Sequence, residues 1–177
     1  MISVVSLPRS RHPRPHGSRY ADETAAHEAV ALALPMIERA LRDPAVSGGG
    51  QLCIVVLDPA LQPAQTRFDE AVLLEHAVGD RGAWDADYAG FARAKARLAW
   101  HSGLDGHRLQ SAAPHRLVEG DSLLWGGVCL DGIVVGVSGA FPWWDEAFAT
   151  AIAANLRAIA KRRHAEAVAA GALVAGG

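Results

Sequence analysis

Ser122-Leu-Leu-Trp-Gly-Gly-Val-Cys-Leu-Asp-Gly-Ile-Val-Val-Gly-Val-Ser-Gly-Ala-Phe-Pro-Trp-Trp-Asp145 is the stretch whose reading decides the fold. Apolar residues run almost unbroken to Val137, punctuated by glycines. Asp131-Gly132 predicts a two-residue hairpin turn, because both central residues of such a turn need positive φ. Gly126-Gly127 offers a competing turn, which leaves the strand register open; Asp131-Gly132 is the better signal of the two. Ser138-Gly139 then leaves the sheet. Pro142 fits at or just before a first helical turn, where its missing N–H costs nothing. Everything else must pack on this hairpin.

The remaining composition sets bounds. A chain of 177 residues predicts one domain with a sizeable core. Half the residues are hydrophobic and a fifth are charged, as in ordinary globular proteins. A net charge of −2 gives no global pull toward nucleic acid or acidic lipid. No apolar run approaches the roughly 20 residues that span a bilayer. The apolar start Met1–Leu7 is too short for a secretory signal and runs into Pro8, so a cytoplasmic location is expected. Cys53 and Cys129 lie in apolar runs and read as inert buried thiols rather than a disulfide or metal pair.

Three parts follow in order: a basic, proline-rich arm over 1–19, a single domain over 20–170, and a flexible tail over 171–177. The arm carries Arg9, Arg11, Arg14 and Arg19 among Pro8, Pro13 and Pro15, and reads as a draped segment or one that binds a neighbouring subunit or an anion. Tyr20 to Arg42 predicts a helix capped by Asp22 or Thr24, with a kink or break near Pro35. Leu52–Leu57 is continuously apolar and β-branched, hence a strand covered on both faces. Gln62–Phe68 is the candidate partner strand, at an edge because of Pro63. Asp69–Ala77 reads as a short helix or a connection over the sheet. Trp84 to His101 predicts a second helix, capped by Asp85 or Asp87. Leu104–Val118 is short, irregular and basic. A last helix is expected from about Trp143 to Ala169. Helices that must cover both faces of antiparallel hairpins define an α+β class.

Three segments resemble the GlcG/HbpS-like family, often described as haem-binding or haem-degrading, together with its uncharacterised sister branch. Ala92-Arg-Ala-Lys95-Ala-Arg-Leu-Ala99 is similar to its helix signature. Asp131-Gly132-Ile-Val-Val-Gly136 resembles its hairpin. Val137-Ser138-Gly139-Ala140, followed by Asp145-Glu146, resembles its exit into the last helix. The sister branch carries a lysine and then His-Ser on one helix, to which Lys95 and His101-Ser102 are similar. The resemblance covers roughly residues 50–160. It implies a profilin-like α/β sandwich with a five-stranded antiparallel sheet and helices on both faces. It further implies a homo-oligomer and a small-molecule ligand, with haem or another tetrapyrrole as the candidate cofactor.

The residues that could carry chemistry are few. His101, His107 and His115 cluster in sequence with Arg97, Arg108 and Arg116; a haem needs an axial ligand, an apolar slot and cations for its propionates, and Trp100 offers an apolar plane. The same residues also suit a helix C-terminus and its loop. Lys95, if buried, could act as a base or bind an anion; otherwise it is a solvated helix lysine. Ser138 is no nucleophile elbow, since its surroundings lack the final glycine of that pattern. The Ser138-Gly139 exit is either a structural turn or an anion site at a helix start. Phe141, Trp143 and Trp144 could line a pocket, pack in the core or meet another subunit. No spacing supports a dedicated metal site, and basic residues form no stripe with interleaved aromatics, so neither nucleic acid nor membrane is an expected partner.

The expected ligand-binding set is therefore Lys95, His101, Ser102, Ser138 and Gly139, with no catalytic residue assigned. Three functions stay open: binding of a small ligand; an enzyme on a small organic acid or on haem, with Lys95 or His101 as acid/base; and a structural subunit assembling through Trp143, Trp144 and the arm. The ligand reading expects the hairpin to lie against the Lys95 helix with a small polar hollow between them.

Overall fold

The structure is a computed structural model that describes residues 17–173. Helix α1 (Glu23–Ala40) leads to strand β1 (Leu52–Leu57), a single turn of helix α2 (Phe68–Ala71) and strand β2 (Val72–Val78). Helix α3 (Tyr88–Ser102) and the short α4 (Gly106–Ala112) follow. Strands β3 (Gly127–Leu130) and β4 (Ile133–Ser138) then precede the long helix α5 (Pro142–Ala169). The antiparallel sheet has the order β2-β1-β4-β3. The α+β class expected from the sequence holds, with four strands rather than five. No helix among the described residues is long and apolar enough to cross a membrane.

The hairpin turns at Asp131-Gly132. Leu130 pairs with Ile133, and the two central residues have φ of 51° and 83°. Both values lie in the left-handed region that this turn demands. Gly126-Gly127 is instead the entry to β3.

Alternation along β1 and β4 sends side chains to two separate layers. Leu52, Ile54, Val56, Ile133, Val135 and Val137 meet the apolar faces of α1 and α5. Cys53, Val55, Leu57 and Val134 meet Ala89, Ala92, Ala96, Ala99 and Trp100 of α3. Cys53 is buried and its thiol is pushed up to about 12 by desolvation, as expected of an inert cysteine. Both cysteines are free.

Several local expectations shift. The partner of β1 is Val72–Val78, not Gln62–Phe68, which makes a turn and then opens α2 at Phe68. The apolar run at Val72-Leu73-Leu74 can bury, whereas Pro63 has no N–H for a ladder. Helix α1 runs unbroken past Pro35. The proline sits on the exposed side, next to the exposed Ala31 whose carbonyl it deprives of a partner, so water can replace the lost bond. Asp22 caps α1 through the Ala25 N–H. Helix α3 starts four residues later than Trp84, at the Asp87 cap, which accepts from the Gly90 N–H. Most of the basic arm (1–16) and the end of the tail (174–177) lie outside the described residues. The arm's last part is held: the Ser18 N–H donates to the buried Asp58 carboxylate at 3.0 Å.

Candidate functional site

Helix α3 lies against β3 and β4 because small residues let backbones meet. A Cβ at Gly136 would overlap the Ala92 carbonyl oxygen, and one at Gly127 would overlap that of Lys95. Alanines complete the contact from the helix side. This approach carries the Lys95 side chain over the end of β4.

There the amine is fully engaged. Lys95 Nζ donates to the Val137 carbonyl at 3.0 Å, to Ser138 Oγ at 3.1 Å and to Asp145 Oδ2 at 2.7 Å. An ammonium has three N–H donors, and three acceptors meet them. The other carboxylate oxygen of Asp145 accepts the Ala140 N–H at 2.9 Å, which binds the strand exit to the first turn of α5. Lys95 and Asp145 are only 3% and 2% exposed, so this ion pair has no solvent to lean on. Burial pushes the Lys95 amine down, against the pull of Asp145. Burial likewise pushes the Asp145 carboxyl up to about 6, against the pull of Lys95. Replacing one member of such a pair leaves an uncompensated buried charge.

The five sequence-derived positions fall into two places. Lys95, Ser138 and Gly139 come together at the β4 exit. Gly139 gives its carbonyl to Ser47 Oγ at 3.0 Å. The glycine ribbon does lie against the Lys95 helix, and between them the amine bonds to the Ser138 hydroxyl and the Asp145 carboxylate. His101 and Ser102 lie two turns further along α3, about 10 Å up the axis. Ser102 Oγ exchanges bonds with the backbone of Leu104, closing the helix end.

Asp145 escaped the sequence reading as a site residue. An acid in a first helical turn ordinarily serves the helix dipole, and spacing alone does not distinguish that from a partner for a lysine fifty residues earlier.

The C-terminal end of α3 forms the second place. His101 is exposed, its ring edge-on to Trp100 at 5.3 Å. The Arg97 guanidinium lies over the Phe68 ring at 4.7 Å, and Arg116 donates to the Ser102 carbonyl at 3.0 Å. This end therefore holds an exposed imidazole and two guanidiniums, each guanidinium already with a partner. Trp100 does not supply the apolar plane: it is 8% exposed, packs edge-on to Phe68, and gives its indole N–H to Leu61. Among the described residues, no group of three or more His, Cys, Asp or Glu is arranged to hold a bare metal ion.

A third cluster lies at the start of α5. His107 of α4 stacks on Trp125 with centroids 3.9 Å apart, and its Nδ1 is 3.8 Å from Glu146 Oε2. Phe141, Trp143 and Trp144 are exposed nearby in sequence, and none of the three belongs to the core.

A four-stranded antiparallel sheet, with α1 and α5 on one face and α3 on the other, defines an α+β sandwich of the HbpS type. A double mutant of Streptomyces reticuli HbpS shares this fold, with a TM-score of 0.50 and 23% identity, over 85% of this chain and 96% of that one. Klebsiella pneumoniae protein ORFY, a DUF336 protein, matches with a TM-score of 0.51 and 18% identity, over 86% of this chain and 99% of that one. The resemblance read from the sequence thus stands at the level of the fold. No family model and no curated protein matches the chain.

Proposed function

We propose that this protein binds a small ligand at the C-terminal end of α3, with haem or another tetrapyrrole as the candidate drawn from the family resemblance. The observation that supports this most is the exposed His101 imidazole, with Arg97 one turn back and Arg116 bonded to the neighbouring Ser102 carbonyl. His101, Arg97 and Arg116 are the residues that would hold such a group, as donor and counter-charges. Haem, once held, supplies redox and oxygen chemistry of its own; the chain supplies a donor and counter-charges.

The test is a titration of the purified protein with haemin. A Soret shift is expected in the parent chain and in His27→Ala, which lies on α1, and its loss is expected in His101→Ala. No shift in the parent, or an undiminished shift in His101→Ala, overturns the reading.

A second reading, assembly of subunits, is favoured by one observation. Phe141, Trp143 and Trp144 expose 39%, 58% and 37% of their surfaces at one helix start. Exposed aromatics of this density are typical of contact surfaces. Light scattering on the parent and on a Trp143→Ala/Trp144→Ala variant tests it; an assembled variant counts against this surface.

A further inference from the structure

His107 and Glu146 come from different elements and meet at a point that neither needs for its own helix. Glu146 Oε2 is buried and receives no hydrogen bond, although the rest of the residue is partly exposed. Leaving a charged oxygen in that state is costly. His107 Nδ1 stands 3.8 Å from it, outside hydrogen-bond range but within ion-pair range. The imidazole is held in place by its stack on Trp125. We infer that His107 and Glu146 form a proton-dependent clasp that fastens α4 and the 117–126 segment to the start of α5.

The clasp has something to cover. The 117–126 segment ends at Gly126, whose carbonyl accepts the Val137 N–H at 2.8 Å. A Cβ at Gly126 would stand 2.7 Å from that of Asp145 and 3.3 Å from Lys95 Nζ. The end of this strap therefore lies against the buried ion pair, and Trp125 immediately precedes it.

The surrounding charges set the sign. Burial raises the Glu146 carboxyl; His107 opposes that, and Asp105 at the head of α4 adds to it. Asp105 is itself held by the Cys129 N–H at 2.8 Å. On α5 the neighbouring Asp145 is paired with Lys95 of α3. From the strap, Asp121 is bound to the Val118 N–H and Glu119 is exposed. An imidazolium at His107 supplies the positive charge that the Glu146 carboxylate lacks. When the imidazolium loses its proton, the carboxylate stays buried and unpaired, and the clasp slackens. In stronger acid, Glu146 takes up a proton and the attraction disappears from the other side. The clasp is tightest between these limits.

Amide hydrogen exchange, expressed as protection factors so that the intrinsic pH dependence cancels, tests this. In the full chain, protection over 106–126 is expected to fall several-fold from about pH 6 to about pH 8, the range in which histidines discharge. In Glu146→Gln and His107→Gln that pH dependence should vanish, while protection in α1 stays at the parent level and certifies the fold. A parent whose protection does not change with pH, or variants that retain the parent's change, overturns the clasp. Should a variant fail to fold, the parent profile decides on its own: a fall confined to 106–126 supports the clasp, and a uniform fall across the chain refutes it.

Discussion

The two faces of the sheet are built on opposite principles. On the α1/α5 face, Leu52, Ile54, Val56, Val135 and Val137 meet Ile37, Phe148, Ile152 and Leu156. That layer is side chain against side chain, and its stability is a matter of filled volume. On the α3 face, glycines of β3 and β4 meet the helix backbone and a row of alanines. Where Gly127 and Gly136 meet α3 there is little side-chain volume to rearrange, although Val55, Leu57, Phe68 and Trp100 fill the rest of that layer, and a charge pair is enclosed at the rim. A layer of the first kind relaxes around a change; one of the second kind has nowhere to move.

The contrast can be broken most sharply at the ion pair. Lys95→Met should cost about 3–5 kcal/mol, because Asp145 is left buried without its counter-charge. Urea unfolding measures it. The double variant Lys95→Met/Asp145→Leu should recover most of that loss, since an apolar pair of similar volume needs no solvation. A double variant as unstable as the single one would show that geometry, not charge, is at stake.

Next comes the close approach itself. Gly136→Ala places a methyl onto the Ala92 carbonyl and should cost about 1–3 kcal/mol through overpacking. The same measurement on the other face gives the comparison: Ile54→Val removes one methylene from a volume-filled layer and should cost about 1 kcal/mol. If Ile54→Val proved the costlier of the two, the faces would not differ as described.

A pH series sharpens the picture with the smallest signal. Burial pushes the folded Asp145 carboxyl up to about 6 from its ordinary value near 3.8. Between those two values the folded chain holds a proton that the unfolded chain has released. Asp145's contribution to stability therefore falls as pH rises through that window. Asp145→Asn should remove this component of the slope in urea midpoints.

Where the sequence could be read, a local stereochemical demand was at work. Asp131-Gly132 was readable because few residue pairs tolerate two left-handed conformations in a row. Asp22 and Asp87 were among the candidate caps because a helix start needs a side-chain acceptor. β2 was misplaced because Val72-Leu73-Leu74 are all buried and show no alternation. Of the site, Lys95, Ser138 and Gly139 were named together. Their separation from His101 and Ser102, and the inward turn of Trp100, lay beyond periodicity.

The amino-acid order by itself determined the hairpin, the three long helices, the buried character of β1 and the small residues that invite α3 onto the sheet, whereas the short α4 falls in a stretch that reads as irregular. Each of these depends on neighbours a few positions away. Only the tertiary structure decided that Lys95 finds Asp145, that Ser138 joins them at the β4 exit, and that His107 stands beside Glu146. Those pairings join residues tens of positions apart. The partner a buried charge or polar atom meets is set by which backbones approach, a property of the packed whole.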